Sequence, residues 1–375
     1  MAFITLDQEK LAHNYQYLDA LFAKHQIEWA VVSKMLCGSR SFLEALLSLG
    51  MKQVCDSRIS HLKLIKEIRP DVETIYIKPP ALQTIPHVVA YADISCNTEF
   101  ETILRLSEEA VRQGRTHRII IMIELGELRE GVLRDELVDF YERVFELPGI
   151  EVIGIGANLT CMYGVLPNHD KLIQLSLYKQ LIEARFNRKI PFVSGGASVT
   201  IPLIFEGTLP AGINHFRVGE TLYLGTDVYH QGVLPGMEAD VFRLYAQIIE
   251  LNEKPMTPMG EMGANLNGEI VSFSQEAGNR HSYRALLDVG LLDVDEAHVW
   301  PLQENIKIVG ASSDMIVVDL GENPEGFRVG DFLEFRMDYM GTLRLMNSPY
   351  VEKKLAQELK EDHHLETCKI ANLSI

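Results

Sequence analysis

Residues 29–55 contain three segments, Trp29-Ala-Val-Val-Ser33, Ser39-Arg-Ser-Phe-Leu-Glu-Ala-Leu-Leu-Ser-Leu49 and Lys52-Gln-Val-Cys55, in that order. The first and third are short runs with β-branched residues, and the second has apolar residues at helical spacing. A strand, a helix and another strand in succession are typical of a βα unit around a parallel sheet. This stretch therefore predicts an α/β fold.

The same unit repeats over the first two thirds of the chain, where eight strand-like runs alternate with helical segments. Eight parallel strands, each followed by a helix, favour a closed (β/α)₈ barrel, or TIM barrel, over an open doubly wound sheet. The predicted helices include Ser39–Leu49 and Thr98–Gln113, which open with good capping residues, and Asp135–Phe145 and Asp170–Arg188. The predicted strands are Trp29–Ser33, Lys52–Cys55, Thr74–Ile77, Ala92–Ser95, Arg118–Glu124, Glu151–Ala157, Pro191–Ser194 and His215–Val218.

A second, mostly β domain is predicted after Pro235-Gly236, because strand-like runs are separated there by Gly, Pro and Asn instead of helices. We expect the barrel to span residues 8–233 and the C-terminal domain residues 234–375, which residues 1–7 could join. The segment Asn252–Gln275 has no clear period and is predicted to be an exposed or intersubunit loop. The predicted strands are Leu244–Leu251, Lys307–Val309, Met315–Leu320 and Phe332–Met337.

The composition excludes several classes of function. The 375 residues include 52 acidic side chains and 35 Lys or Arg side chains, which give a net charge of −17. This charge argues against partners whose own negative charge the protein would have to neutralise, such as nucleic acid or anionic lipid. No apolar stretch approaches the ~18 residues of a membrane span, and the start lacks a signal-peptide pattern, so a cytoplasmic protein is expected. The five scattered cysteines suggest neither a disulfide framework nor a metal site. They are predicted to be reduced thiols at Cys37, Cys55, Cys96, Cys161 and Cys368.

Three candidate functional elements lie near the carboxyl ends of predicted strands, which is the end of the barrel where active sites form. Lys34 ends the first strand and could act as a partly desolvated amine nucleophile or base, the alternative being a solvated rim lysine. Ser194-Gly-Gly-Ala-Ser-Val-Thr200 could seat a phosphate on backbone N–H groups, or could be a plain tight turn. Arg217 could bind an anion or a ring acceptor, or could form an ion pair with Glu124 or Glu220.

Several motifs in this order resemble the alanine racemase family of pyridoxal-phosphate enzymes of fold type III, and within it the ornithine racemase-like branch. Leu6-Asp7 through Leu11-Ala-His-Asn-Tyr15 and Ala30-Val-Val-Ser-Lys34 resemble the opening of the family. The other motifs look specific to the branch. They are Ile121-Met-Ile-Glu-Leu-Gly-Glu-Leu-Arg-Glu-Gly131, Gly156-Ala-Asn-Leu-Thr-Cys161, Ser194-Gly-Gly-Ala-Ser198, Arg217-Val-Gly-Glu220 and Gly310-Ala-Ser-Ser-Asp314.

The resemblance implies a role for each matching residue. Lys34 would carry pyridoxal 5′-phosphate as a Schiff base and serve as one catalytic acid/base, and Arg217 would bind the pyridine nitrogen. Arg129 would help to place the cofactor oxygen and the substrate carboxylate. Ser313 and Asp314 would close the pocket from the partner subunit, which implies a homodimer. The other cofactor-binding residues would be Ser198, Gly219, Glu220, Tyr339 and Asn158.

Two positions depart from the family pattern. Leu291 stands where the family's racemases usually have a tyrosine that serves as the second base, and Met122 replaces a lysine that some alanine racemases carry as a carbamate. Leucine cannot move a proton, so Cys37 is the candidate for the second face, with Cys161 and Tyr283 as weaker ones. For each of these three residues, the alternative is a role in packing alone. Without the lysine, Arg129 would be held otherwise, by Glu124 or Glu130.

The sequence thus predicts an amino-acid racemase acting on a free, basic amino acid such as ornithine. Asp293 and Asp314 could pair with a substrate ammonium, or could cap turns. The alternatives are a racemase for alanine, for serine or of broad specificity, a non-catalytic pyridoxal-phosphate carrier, and a fold-type III decarboxylase or aldolase. No His/Asp cluster of metal-ligand character is evident, so no metal is predicted.

Overall fold

A barrel of eight parallel strands forms one compact unit, residues Glu9–Ala239, of the computed structural model, which describes residues 1–264, 268, 270 and 280–359. The pairing runs without interruption from strand 1 to strand 7, and strand 8 pairs with strand 1. The eight predicted strands are confirmed. Numbered 1 to 8, the barrel strands are Glu28–Val32, Gln53–Asp56, Glu73–Tyr76, Ile94–Asn97, His117–Met122, Ile150–Gly156, Phe192–Ser194 and His215–Val218.

The barrel closes through a break in strand 7. After Gly195 the chain continues as the short strand Gly196–Ala197, which pairs in parallel with strand 8 at Phe216 and Arg217. A Cβ on Gly196 would lie 2.1 Å from the ring of Phe216, so the residue here must be glycine for the two strands to approach. The closure brings the ends of strands 7, 8 and 1 side by side.

Helices connect successive barrel strands. In Phe100–Arg112 the buried residues Ile103, Leu106, Ser107 and Ala110 repeat every three or four positions, which is the spacing of one helix face. The helices of this unit are Gln8–Lys24, Arg40–Leu47, Ile59–Ile68, Ile85–Tyr91, Phe100–Arg112, Leu137–Phe145, His169–Phe186, Pro202–Phe205 and Glu220–Leu224.

The prediction that Ser39 and Thr98 cap their helices is wrong. Ser39 occupies the N-cap position of Arg40–Leu47, but its side chain makes no capping hydrogen bond. Glu99, not Thr98, precedes Phe100–Arg112, and it makes no side-chain cap either. Packing of the apolar face, more than capping, therefore stabilises these helix starts.

The interior of the barrel is filled by side chains from strands 1 to 6. Burial raises the pKa values of both thiols found there, that of Cys96 to about 11. They are free thiols, as is Cys161, whereas Cys368 lies outside the described residues. The buried cluster comprises Ala30, Val32, Cys55, Ile75, Ile94, Cys96, Ile120, Met122 and Ile153.

The second compact unit joins Met1–Gln8 to the chain from Asp240 onward and is built on antiparallel strands. Phe3–Leu6 pairs antiparallel with Phe242–Pro255 and parallel with Glu352–Leu355, so the N-terminal residues belong to this unit. The four predicted strands are confirmed, and four more were missed. The strands are Phe3–Leu6, Phe242–Pro255, His281–Leu287, Val299–Pro301, Lys307–Ala311, Ile316–Asp319, Phe332–Met337 and Glu352–Leu355.

The predicted loop Asn252–Gln275 is wrong at its start. Residues 252–255 extend the strand Phe242–Pro255, because they pair with His281–Leu287 beyond a register shift between Ile248 and Glu250. Residues 265–267, 269 and 271–275 lie outside the described part of the chain. The barrel domain over 8–233 and the second domain over 234–375 stay a prediction, since compactness alone does not test independent domains.

Among the described residues, no helix combines the length and apolar character required to cross a membrane.

Candidate active site

Lys34 lies directly after barrel strand 1, at the first position of the short helix Lys34–Leu36. The two residues that follow it, Met35 and Leu36, are buried, and this anchors the turn while leaving Lys34 exposed at the mouth of the barrel. The expected partial desolvation of this lysine is therefore not seen in the single chain. The position of its amine at the carboxyl end of a strand agrees with the sequence analysis.

A buried carboxylate that the sequence analysis missed fixes the backbone just before Lys34. Asp56, at the end of strand 2, is fully buried and accepts a 2.7 Å hydrogen bond from Oγ of Ser33. Its other oxygen accepts from the backbone N–H of Arg58 at 2.8 Å and lies 3.1 Å from Nδ1 of His61. Ser33 is thereby tied to the neighbouring strand through its side chain as well as its backbone.

Arg217, in strand 8, is held with its guanidinium between the ends of strands 6 and 7. Nη1 donates to the backbone oxygen of Ser194 at 2.8 Å and to its Oγ, and Nη2 donates to the backbone oxygen of Ala157 at 2.8 Å. Only 8% of Arg217 is exposed. These bonds occupy three of the five N–H groups that arginine carries, so two are available for a further acceptor.

A serine and two helix starts meet beside Arg217. Ser198 opens the short helix Ser198–Thr200, and its Oγ accepts from the backbone N–H of Thr221 at 3.2 Å. Gly219 precedes the helix Glu220–Leu224. A Cβ on Gly219 would lie 3.2 Å from the backbone oxygen of Val32, so a larger residue would crowd strand 1. Backbone N–H groups at two helix starts favour an anion such as a phosphate ester.

Arg129 lies in the loop after strand 5, which is opposite strand 1 in the strand order of the barrel. Its guanidinium pairs with Glu130, with Nη2 2.6 Å from Oε1. Asn158, with its amide oxygen turned toward Arg129, accepts from both Nη atoms at 3.0 Å. Burial lowers the pKa of Arg129, but the hydrogen bond and charge of Glu130 raise it overall. Of the two acids expected to hold Arg129, Glu130 does so, whereas Glu124 accepts from the N–H of Gly126.

The loop that carries Arg129 is closed at its base. The N–H of Glu124 donates to the backbone oxygen of Val132 at 3.1 Å, and the N–H of Val132 donates to that of Met122 at 2.8 Å. A Cβ on Gly131, whose φ is +152°, would lie 2.2 Å from the backbone nitrogen of Glu124. Only glycine fits here, so the chain returns sharply after Arg129.

Glu127, in the same loop, is a second buried carboxylate that the sequence analysis did not single out. It is 2% exposed and accepts five backbone hydrogen bonds from the loop after strand 6. Burial raises its pKa, but these bonds outweigh burial and lower it to about 2. Glu127 is therefore ionised at neutral pH.

The cysteine candidates for the second catalytic base lie on different sides of the mouth. Cys37 ends the helix Lys34–Leu36 in a left-handed conformation, with φ of 46°, and its Sγ is 3.7 Å from the backbone oxygen of Lys34. Cys161 is exposed in the loop after strand 6, where Nη1 of Arg129 contacts its Sγ. Cys37 thus shares the Lys34 side of the barrel, whereas Cys161 belongs to the Arg129 side.

The remaining predicted site residues lie in the second unit. Tyr339 opens the helix Tyr339–Asn347, which Asp338 caps by accepting from the N–H of Gly341 at 2.8 Å. Tyr283 lies within the strand His281–Leu287.

A tight turn brings Leu291 and the predicted pocket-closing residues together. The N–H of Leu291 donates to the backbone oxygen of Ser312 at 3.0 Å, and that of Leu292 donates to Ser313 at 2.9 Å. A Cβ on Gly290 would lie 2.4 Å from the backbone of Asp314, so the two segments are in contact.

Asp293, a candidate for pairing with a substrate ammonium, is engaged within its own unit. Its Oδ1 accepts from Oγ of Ser348 at 2.5 Å. This contact is not the turn cap that was its alternative, and both interpretations of Asp293 stay predictions.

The chain is similar to known proteins over most of its length. The family model described as alanine racemase, N-terminal domain, matches residues 6–227. An ornithine racemase from Acetoanaerobium sticklandii is 37% identical over 94% of this chain and 99% of its own length. A lysine racemase from Thermotoga maritima is 29% identical over 93% and 97%.

A solved structure supports the fold. The crystal structure of alanine racemase from Bartonella henselae with covalently bound pyridoxal phosphate superposes with a TM-score of 0.71 at 18% identity, covering 94% of this chain and 99% of that one. At this level of identity the likeness shows the fold alone.

Proposed function

Because the chain belongs to the alanine racemase family, we propose that it is a pyridoxal-phosphate-dependent racemase that interconverts the L and D forms of a basic amino acid. The observation that carries this proposal is the convergence of Lys34, Arg217 and the Ser198 region at the adjacent ends of strands 1, 8 and 7. An amine, an anion site and a fixed guanidinium are the groups that this cofactor requires. The residues present therefore fit it.

The residues divide the work around the cofactor. When bound, pyridoxal phosphate supplies an electron sink that makes the α-hydrogen of an amino acid acidic. Nζ of Lys34 would hold the cofactor and then move a proton on one face of the substrate. The guanidinium of Arg217 would face the ring nitrogen, because Ser194 and Ala157 fix its orientation. Gly219, Glu220 and Ser198 would bind the phosphate with their backbone and hydroxyl groups.

Arg129 would bind the substrate carboxylate on the far side of the mouth. Its pairing with Glu130 and its contact with Cys161 together limit the orientation of the guanidinium, and the two N–H groups that donate to Asn158 would bind the substrate carboxylate in place of that amide. Cys37 as the second proton carrier, and Asn158 as a cofactor contact, stay predictions.

The relatives support a basic substrate, since the two curated proteins are named ornithine racemase and lysine racemase. The acidic balance of the chain is compatible with a cationic amino acid. The phosphate-binding role of Tyr339 stays a prediction of the sequence analysis. So do the pocket-closing roles of Ser313 and Asp314, the homodimer that they imply and the cytoplasmic location.

The decisive experiment follows exchange of the α-hydrogen in deuterated water with the purified protein and pyridoxal phosphate. Ornithine or lysine should exchange and racemise, while alanine, serine and glutamate should react more slowly. Lys34→Ala should abolish both the exchange and the borohydride-sensitive absorbance of the lysine-bound cofactor. Lys52→Ala is the matched control, because Lys52 is exposed at the other end of the barrel.

Other outcomes would favour the alternatives. Bound cofactor without exchange of any amino acid would indicate a carrier. Release of carbon dioxide would indicate a decarboxylase, and cleavage of the side chain to an aldehyde would indicate an aldolase. Exchange that survives Lys34→Ala would contradict the proposed role of this lysine.

A further inference from the structure

We propose that Glu127 is a positioning residue of this active site, whose carboxylate organises the loop Thr160–Val165 and so fixes Cys161 against Arg129. The inference rests on the proposed function, because it assigns Arg129 to the substrate carboxylate. Glu127 would touch neither substrate nor cofactor. Its effect would pass through the loop to the guanidinium.

The carboxylate is enclosed by the backbone of the loop. Oε1 accepts from the N–H groups of Cys161, Met162 and Tyr163 at 2.9, 2.6 and 2.8 Å. Oε2 accepts from those of Thr160 and Val165 at 3.1 and 3.0 Å. Five N–H groups directed at one anion match the arrangement of backbone anion nests, except that the anion here is a side chain of the same protein.

Apolar burial contributes little to holding this loop in the single chain. Met162 is 54% exposed and Tyr163 is 67% exposed. The loop also includes Thr160 in a left-handed conformation, with φ of 55°, which a β-branched residue rarely adopts without support. The hydrogen bonds to Glu127 supply the support, together with those from Oγ1 and the backbone N–H of Thr160 to the backbone oxygen of Val165 at 2.9 and 3.0 Å.

Glu127 connects this loop to the proposed substrate-binding residue. It lies two positions before Arg129, and the loop that it organises carries Cys161, which Nη1 of Arg129 contacts. The pairing of Arg129 with Glu130 does not depend on that loop. Loss of the Glu127 contacts should therefore shift the guanidinium of Arg129, while its pairing with Glu130 keeps it at the site.

The sharpest variant is Glu127→Gln. Glutamine has nearly the same shape, but its amide nitrogen would face at least two backbone N–H donors in either orientation, so the loop cannot keep all five bonds. In the holoenzyme, KM for ornithine should rise by about tenfold or more, because a misplaced carboxylate-binding group weakens substrate binding. The kcat should change by less than about threefold, and the cofactor absorbance at equal occupancy should not change.

Two further variants separate positioning from general destabilisation. Glu127→Asp keeps the charge and should restore KM part of the way toward the wild-type value. Glu183→Gln is the matched control, because Oε1 of Glu183 accepts from the N–H of Ile190 at 2.8 Å in the connection that precedes strand 7, at the end of the barrel remote from the mouth. It should leave KM unchanged.

Amide hydrogen exchange tests the same inference without any activity. Exchange of residues 160–165 should accelerate by about tenfold or more in Glu127→Gln, and not in Glu183→Gln. Unchanged exchange in this loop, or unchanged KM despite faster exchange, would overturn the positioning role. If the wild-type protein racemises no amino acid, the proposed function fails on its own, while the exchange experiment still decides whether Glu127 organises the loop.

Discussion

The hydroxyl of Ser194 lies 2.7 Å from Nδ1 of His215 and also accepts a hydrogen bond from Arg217. Nε2 of His215 lies 3.0 Å from Oε1 of Gln53, which can only accept. The network therefore assigns the proton of His215 to Nε2 and leaves Nδ1 as the acceptor for Ser194. A neutral imidazole beneath the active site thus orients the serine that holds Arg217.

This arrangement predicts a loss of stability in mild acid. Burial, and then the charge of Arg217, lower the pKa of His215 to about 3. Since the unfolded value is about 6.5, the contribution to stability is complete above pH 6.5 and is lost as the pH falls toward 3. Between pH 7 and pH 5, the free energy of unfolding of the wild type should fall relative to His215→Asn by about 2 kcal/mol.

Urea unfolding at a series of pH values measures this difference. His25→Asn is the control, because His25 is exposed, and its difference from the wild type should stay flat. A difference between wild type and His215→Asn that does not vary between pH 7 and pH 5 would mean that His215 is not held neutral.

Arg217→Lys should weaken cofactor binding. A lysine ammonium is a point donor on a flexible stem, so it cannot reach both Ser194 and Ala157 in the geometry of a guanidinium. The dissociation constant for pyridoxal phosphate should rise by about tenfold or more, equivalent to at least about 1.4 kcal/mol. Titration of the apoprotein with the cofactor measures it, and Arg185→Lys, on the exposed helix surface, should bind like the wild type.

Asp56→Ala should displace the strand end that carries Lys34. It removes the acceptor of the N–H of Arg58 and the shorter of the two bonds of the Ser33 hydroxyl, which can still donate to the backbone oxygen of Cys55 at 3.1 Å, at a cost of about 0.5–1.5 kcal/mol for each lost bond. We expect a lower unfolding midpoint and slower attachment of the cofactor to Lys34, followed by absorbance after mixing. Attachment at the wild-type rate would show that Ser33 keeps its place without Asp56.

The barrel could be predicted from the sequence, whereas the two buried carboxylates could not. Runs such as Trp29–Ser33 are apolar and β-branched wherever they stand, so their strand character is local. Glu127 is an acidic residue in a polar motif, and its burial depends on a loop more than 30 residues away in which Thr160 adopts a positive φ. A single sequence does not reveal that conformation. The burial of Asp56 likewise depends on a residue distant in the sequence, because its carboxylate is bonded to Ser33 at the end of the preceding strand.

The missed strand His281–Leu287 has a similar cause. It includes His, Ser and Arg among its seven residues, and its strand character comes from pairing on both sides, with Phe242–Pro255 and Ile316–Asp319. Tertiary pairing overrides weak local preference here.

Gly219→Ala should reduce the affinity for the phosphate of the cofactor. A Cβ there would lie 3.1 Å from that of Val32 and 3.2 Å from its backbone oxygen, so the helix start Glu220–Leu224 or strand 1 has to give by a few tenths of an ångström. Inorganic phosphate, used as a competitor in the cofactor titration, should bind several-fold more weakly. Gly232→Ala is the control, because a Cβ there meets nothing within 4 Å. Equal phosphate affinity in all three proteins would place the anion site elsewhere.

The two cysteines provide the test of the second proton carrier. The sequence analysis predicts Cys37, whose Sγ lies 3.7 Å from the backbone oxygen of Lys34, with Cys161 as a weaker candidate. We therefore expect Cys37→Ala to slow α-hydrogen exchange of one enantiomer by about 10²-fold or more at saturating substrate, the usual contribution of a positioned acid or base. Cys161→Ala should slow it by less than about tenfold, because Cys161 contacts Arg129 on the other side of the mouth. The reverse order would support Cys161, and equal rates for both variants and the wild type would exclude both thiols as the second base.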